Sequence, residues 1–193
     1  ELRRLNTNRC IIHVEDPLQS LPYLTRLDVD NVTWSTSGFA DASKLQPLRS
    51  FCSATQLPAL CHLFLDDLAV QSHGTLYDTL LPQLTHLDYF QVSDFDDIFP
   101  QLQLCTALKS LRITCDGIRV KDISLPFIRA FKALLRLEEF HFTSQGGDDD
   151  KVWRRTFPAV QRLMEITEDH PTLKKLSLKM WHADENRKRA EAW

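Results

Sequence analysis

The stretch LPQLTHLDYFQV, residues 81–92, carries its apolar side chains at a spacing that fits neither a regular helix nor a plain alternating strand. Leu87 and Tyr89 lie two positions apart, which is the period of a β-strand, and Leu84 precedes them by three. We therefore expect a short strand that turns Leu87 and Tyr89 inward and the residues between and beside them outward.

The same frame recurs along the chain. LPYLTRLDVDNV from Leu21 and LPALCHLFLDDL from Leu57 align with the first stretch without a gap, and all three read Leu-Pro-x-Leu-x-x-Leu-x-apolar-x-x-apolar. Four weaker copies begin at Leu2, Leu108, Leu137 and Leu173. Four of the six intervals between the anchor leucines fall within the 20–29 residues of a typical leucine-rich repeat. The pattern predicts about seven irregular repeats.

A single repeat of this kind cannot bury its own apolar face, so successive repeats must stack. The segments between the frames carry helix signals. Ser124 followed by Pro126 marks a helix start, and Ser93 with Asp96 resembles a capping box. Pro158 predicts a kink or break in the next helical segment, and TSQGGDDD, residues 143–150, reads as a loop. Strand and helix in alternation predict an α/β solenoid, with parallel strands on the concave face and helices on the convex one.

The Leu-x-x-Leu-x-Leu frame resembles the leucine-rich repeat family over essentially the whole chain. Its irregular lengths and Leu-Pro lead-in are similar to the repeat region of intracellular fungal F-box/leucine-rich-repeat proteins. We expect residues 1–193 to form a single domain, a fragment of a longer protein, because the array begins at Leu2 without a polar cap. The Asn or Cys that usually closes the family's frame occurs only as Cys10. An incomplete side-chain ladder predicts irregular stacking.

Composition restricts the class of partner and the compartment. The net charge of −3 gives no reason to expect nucleic acid, and no apolar run reaches the roughly 20 residues of a membrane span. The five cysteines are an odd number without a Cys-x-x-Cys pair, which favours reduced thiols in an intracellular protein, cytoplasmic or nuclear. An extracellular receptor-type array is the alternative, and a titration that finds disulfides would favour it.

The frame also predicts three rows of outward-facing side chains, in which neighbours can touch because adjacent strands lie about 4.8 Å apart. The first row is Arg4, Arg26, His62, His86, Ser110, Glu139 and Lys175. The second row is Asn6, Asp28, Phe64, Asp88, Arg112, His141 and Ser177. The third row is Asn8, Asp30, Asp66, Phe90, Thr114, Thr143 and Lys179.

These rows predict a binding surface with an acidic end and a basic end. Phe64 and Phe90 should face water on adjacent repeats, and aromatic side chains ringed by charge are typical of interface hot spots. Negative charge gathers at Asp28, Asp30, Asp66, Asp67 and Asp88, and positive charge at Lys109, Arg112, Lys174, Lys175 and Lys179. The predicted partner-binding residues are Asp28, Asp30, His62, Phe64, Asp66, His86, Asp88, Phe90 and Arg112.

Metal binding and catalysis are less favoured interpretations of the same residues. His62 and His86 lie beside aspartates and could bind zinc as part of a metal hydrolase, but histidines on open strands without a closed set of ligands are more often ordinary surface residues. Cys61 and His62 should point in diverging directions, and the chain has no Gly-rich phosphate loop. We therefore expect no metal, no cofactor and no catalytic residue.

The sequence predicts a non-catalytic domain whose concave face binds a protein partner. The F-box resemblance implies the substrate-recognition part of a ubiquitin ligase subunit. Members of that family bind the ligase adaptor through helices that precede the repeats, and no such segment is present here.

Overall fold

The computed structural model describes residues 2–8, 11–13, 21–30, 33–35, 53–66, 78–92, 98–115, 123–146 and 150–182. The strands in these ranges are β1 (Arg4–Asn8), β2 (Ile11–His13), β3 (Arg26–Asp30), β4 (Thr33–Ser35), β5 (His62–Asp66), β6 (His86–Val92), β7 (Ser110–Cys115), β8 (Glu139–Gly146) and β9 (Lys175–His182). The helices are α1 (Phe99–Leu104), α2 (Leu125–Lys132) and α3 (Asp150–Glu168), with a 3₁₀ turn at Leu81–Gln83.

Seven strands form one open, parallel sheet in the order β1-β3-β5-β6-β7-β8-β9, and β2 and β4 pair separately. Strands adjacent in the sheet are therefore successive along the chain, apart from the separate pair. The register places Leu63 beside Leu87 and Leu87 beside Leu111, as the frame predicts. A single parallel sheet with helices is consistent with an α/β solenoid-like fold.

One face of the sheet is buried because the central strands turn the apolar residues of the frame, such as Leu63, Leu87 and Tyr89, to the same side. The five central anchor leucines are at most 1% exposed, namely Leu24, Leu60, Leu84, Leu108 and Leu137. Leu2 is 49% exposed and Leu173 is partly buried, because each precedes an outermost strand of the sheet. The helices pack on this face: the Phe131 ring of α2 meets the Phe140 ring of β8 edge-on at 4.9 Å.

Successive strands are joined by a ladder one position after the anchor leucine. The Thr25 hydroxyl donates to the Arg3 carbonyl at 3.0 Å, and the Thr85 hydroxyl donates to the Cys61 carbonyl at 3.2 Å. Between them, the Cys61 thiol lies 3.5 Å from the Thr25 carbonyl. These contacts lie near the start of the frame and not at its last position, where the family's usual Asn or Cys occurs only as Cys10. The described strands of the sheet pair in register, with one irregularity between β6 and β7 near Gln91, whose φ is 55°.

The helices follow their sequence signals in part. The Ser124 hydroxyl accepts the Phe127 N–H at 3.4 Å and Pro126 lies in the first turn of α2, which confirms the predicted start. The break predicted at Pro158 is wrong, because α3 continues through it. Pro158 lies on the exposed side of α3, opposite its buried residues. The capping box at Ser93 and Asp96 lies outside the described residues. None of the described helices is long and apolar enough to span a membrane.

Gln83 joins the 3₁₀ turn to the preceding turn of the chain, and this supplies a prediction. Its amide nitrogen donates to the Leu57 carbonyl at 2.9 Å and to the Leu60 carbonyl at 3.0 Å. Gln83→Glu turns this donor into an acceptor that faces two carbonyl oxygens. We expect the free energy of unfolding to fall by about 1–3 kcal/mol, measured by urea denaturation. Gln103→Glu, exposed on α1, is the control, and equal losses in the two variants would contradict the prediction.

His170 makes the stability depend on pH. Its ring packs edge-on against Phe131 at 5.1 Å and is 6% exposed. Burial lowers the pKa of His170 below 6.5, and a backbone interaction with Phe131 opposes this shift only in part. The unfolded chain therefore takes up the proton first, so stability is lost as the pH falls below the unfolded pKa. We expect the free energy of unfolding to decrease between about pH 7.5 and pH 5, and His170→Phe to flatten this dependence. An unchanged slope in the variant would contradict it.

Candidate partner-binding face

The face of the seven-stranded sheet opposite the helices, called the open face here, carries the predicted rows. The first row pairs in the predicted order from Arg4 to Lys175, and the second from Asn6 to Ser177. The third row is present in segments: Asn8 beside Asp30, Asp66 beside Phe90, and Thr114 beside Thr143 and Lys179. The row is interrupted between β3 and β5, whose pairing ends at Val29 and Leu65, and between β6 and β7, where the register shifts.

Two phenylalanines lie together at the centre of the open face. The Phe64 and Phe90 rings stack with centroids 5.9 Å apart and an interplanar angle of 29°. Both are half-buried, so each residue is partly accessible to solvent. Phe64 pairs with Asp88 in the register and Phe90 lies two residues further along β6, which makes the stack diagonal. The predicted placement of these rings on neighbouring strands is confirmed.

The two histidines predicted as neighbours also stack. The rings of His62 and His86 lie 5.4 Å apart at 18°, and His62 Nε2 lies 3.1 Å from Asp88 Oδ2. His86 Nδ1 lies 2.9 Å from the Thr85 hydroxyl. Burial, followed by the charge of His62, lowers the pKa of His86, against the opposing carboxylates of Asp88 and Glu139. The charged form of the His86 ring is therefore disfavoured.

The predicted acidic end is neutralised where its side chains are described. Asp28 is 4% exposed and accepts from Arg4 Nη2 at 2.8 Å and Nε at 3.1 Å. On its other oxygen it accepts from Arg26 Nε at 2.7 Å. Asp28 therefore offers a partner no free carboxylate. The side chains of Asp30 and Asp66, and all of Asp67, lie outside the described residues.

The predicted basic end is only partly neutralised. Lys174 Nζ lies 2.9 Å from Glu138, and Lys175 Nζ lies 3.8 Å from Glu139. Arg112, Lys109 and Lys179 are exposed and make no side-chain hydrogen bond or ion pair with any residue that the structure describes. Arg112 lies on β7 beside Asp88 of β6, next to the aromatic stack.

A shallow groove lies at the start of β7–β9, beside this basic end. It has a volume of about 590 Å³ and an apolar floor that includes Leu135, which is 65% exposed. Lys109, Arg136 and Lys174 line it together with Glu138. The sequence rows did not reveal this groove, because none of its lining residues belongs to one of the three rows.

The structure brings six of the nine predicted site residues into one cluster on β5–β7. They are His62, Phe64, His86, Asp88, Phe90 and Arg112. Asp28 lies one strand away, linked to the cluster through Arg26, whose Nη1 lies 3.4 Å from His62 Nδ1. Sequence reasoning missed the roles of Arg4 and Arg26. Both stand in the row next to that of Asp28, so a comparison within single rows did not bring them together.

The described residues also include histidines and carboxylates that could bind a metal ion, and cysteine thiols. Over the part of the chain that the structure describes, no three His, Cys, Asp or Glu side chains lie close enough together to hold a metal ion. Cys61, Cys105 and Cys115 are free thiols, while Cys10 and Cys52 fall outside the described ranges. Burial raises the pKa of Cys105 to about 12, and its thiol donates to the Gln101 carbonyl at 3.3 Å. Cys105 is therefore an uncharged core residue.

Comparison with protein-family models, with curated proteins and with solved structures found no match to this chain in any of the three.

Proposed function

We propose that this chain is a non-catalytic protein-interaction domain whose open face binds a protein partner. The observation that carries the proposal is the half-buried stack of Phe64 and Phe90 at the centre of the face. Interface hot spots are enriched in aromatic side chains near the centre of a contact surface, where surrounding groups exclude water. The strands below the stack are fixed by a buried core, so a partner would meet a preorganised surface.

The leucine-rich repeat interpretation belongs to the same proposal. Its support is the regular recurrence of the frame and the residue-for-residue pairing of the strands that carry it. If the chain is a repeat region related to intracellular F-box proteins, its role would be recognition of a ubiquitin-ligase substrate. Contact with the ligase adaptor would then need a segment outside this sequence.

Site-directed photo-crosslinking in cells tests the proposal. A photoreactive amino acid is placed at Thr143, on the open face of β8, or at Arg129, exposed on α2. We expect one or more discrete protein adducts from position 143, and we expect none of these adducts to form from position 129. Adducts that are equal from both positions, or found only from position 129, would contradict binding at the open face.

The aromatic stack itself gives a sharper prediction. Phe64→Ser combined with Phe90→Ser removes the apolar contact while leaving the buried face intact. We expect the adduct from position 143 to weaken at least tenfold, equivalent to about 1.4 kcal/mol of binding free energy. The melting temperature should change little, because both rings lie on the open face and neither belongs to the buried core. A large drop in melting temperature would instead identify the two rings as core residues.

A further inference from the structure

We propose that the partner docks as an acidic peptide segment, with an apolar side chain on the Phe64–Phe90 stack and a carboxylate at Arg112. This rests on the proposed function and adds the chemistry of the partner. It follows from the balance of charge on the open face, since each described carboxylate there already has an arginine, lysine or histidine neighbour, while Arg112 and Lys179 have no carboxylate within ion-pair distance among the described residues.

The carboxylates of the open face whose side chains the structure describes are Asp28, Asp88 and Glu139. Asp28 is held by Arg4 and Arg26. Asp88 lies 3.1 Å from His62. Each carboxylate on the open face whose side chain the structure describes therefore has a cationic or histidine neighbour, since Glu139 likewise lies 3.4 Å from His141 and 3.8 Å from Lys175.

The cations follow the opposite pattern. Arg112 is exposed on β7 and has no ion pair among the described residues, although it stands beside Asp88 in the register. Asp88 instead faces His62 on the other side. Lys179 likewise has no ion pair within the described ranges, and Lys109 has none within 4.0 Å, although, after the hydrogen bond and charge of Lys174, its charge also lowers the pKa of Glu138. An unpaired guanidinium beside an apolar platform presents five N–H donors in a geometry that suits a carboxylate.

The spacing of these groups limits the shape of the ligand. Arg112 is on the strand next to Phe90 and two register positions before it. Diagonal neighbours on adjacent strands lie about 7–8 Å apart. A peptide that seats an apolar side chain on the stack can reach Arg112 with an aspartate or glutamate one to three residues away. Lys109, which lies near enough to His86 to lower the pKa of that ring, extends the positive charge toward the groove.

Single-stranded nucleic acid is the other ligand that combines negative charge with groups that stack on aromatic rings. The face favours a peptide because its aromatic rings stack on each other, leaving one platform rather than a series of separate ones. The net charge of −3 also lacks the basic excess of nucleic-acid-binding domains.

Selection from a display library of random dodecapeptides against the full chain tests the proposal. We expect enrichment of peptides with Asp or Glu within three residues of Phe, Trp, Leu or Ile. Binding of an enriched fluorescent peptide should weaken at least tenfold in Arg112→Glu and severalfold in Arg112→Gln. It should also weaken at high salt, since exposed charges are screened. Lys132→Glu, a charge reversal on exposed α2, is the matched control and should bind as the parent does.

The outcomes distinguish a failure of the acidic-peptide proposal from a failure of the proposed binding face. Enriched peptides that are neutral or basic but still require Phe64 and Phe90 would overturn the acidic partner and leave the binding face in place. The acidic partner and the binding face would both be overturned by either of two results. One is that no peptide is enriched. The other is that the enriched peptides bind equally well to the parent, to the Phe64→Ser, Phe90→Ser double variant and to Arg112→Glu. Tighter binding of an oligouridylate or oligothymidylate than of any enriched peptide would also overturn the peptide proposal. Circular dichroism of each variant verifies that it is folded.

Discussion

Leu87→Asp is expected to abolish the cooperative folding of this chain. Leu87 is fully buried between Leu63 and Leu111 at the centre of the sheet. Removing a buried leucine costs about 2–5 kcal/mol, and an unpaired carboxylate in its place adds a further desolvation cost. The sum is comparable with the whole stability of a small domain, about 5–15 kcal/mol. Circular dichroism should therefore show no cooperative melting transition in this variant.

A substitution in the same strand provides the control. Gln91→Asp introduces the same charge at an exposed residue of β6, where the backbone φ of 55° suits Asp. It should melt within a few degrees of the parent. A folded Leu87→Asp variant, or a Gln91→Asp variant equally unfolded, would mean that the inward face of β6 is misassigned.

Phe131→Ala is expected to cost about 3–5 kcal/mol of the free energy of unfolding. Phe131 is fully buried in α2, and its ring contacts those of Phe127, Phe140 and His170. The substitution opens a cavity between helix and sheet that rigid backbone on both sides cannot close. The measurement is guanidinium denaturation monitored by circular dichroism.

The same variant should also change the response to pH. Without the Phe131 ring, water can reach His170. The burial that lowers the pKa of His170 is then reduced, so the loss of stability at low pH should be smaller. Phe157→Ala, in which the parent side chain is 52% exposed on α3, is the matched control. Equal destabilisation in the two phenylalanine variants would show that α2 does not pack on the sheet as described.

The buried face and the strand register were predictable because leucine spacing decides them together. A shift of one residue would turn every apolar side chain of a strand to the other face. Leu63, Leu87 and Leu111 therefore fix which residues face outward, and Phe64 and Phe90 follow as neighbours. The candidate site was predictable to the same degree, as a set of positions on one face.

Side-chain pairing across the rows was not predictable by the same reasoning. Arg4 and Arg26 belong to one row and Asp28 to the next, so a comparison within rows does not show that they meet. A long arginine side chain reaches diagonally, and two of them surround one carboxylate. Charge counted by position therefore overstated the acidity of this end of the face.

Local composition was also a poor guide where tertiary pairing prevails. Residues 143–146 belong to the stretch predicted as a loop, yet they extend β8 because Ser144 pairs with Met180 and Gly146 with His182. The Thr25, Cys61 and Thr85 ladder differs from the family's pattern, in which the Asn or Cys that joins successive repeats stands at the last position of the frame. Two of the three strong copies have Thr directly after the anchor leucine, at positions 25 and 85, and this recurrence is the sequence signal for the ladder.

The most direct test of the account is a measurement of side-chain proximity across three strands. Nuclear Overhauser spectroscopy on a leucine-methyl-labelled sample should show cross-peaks from Leu63 to Leu87 and from Leu87 to Leu111, with resonances assigned by single Leu→Met substitutions. Both the buried face and the placement of Phe64 beside Phe90 require these contacts. Assigned methyl groups with no cross-peak between any of the three leucines would contradict the parallel register, and the proposed binding face with it.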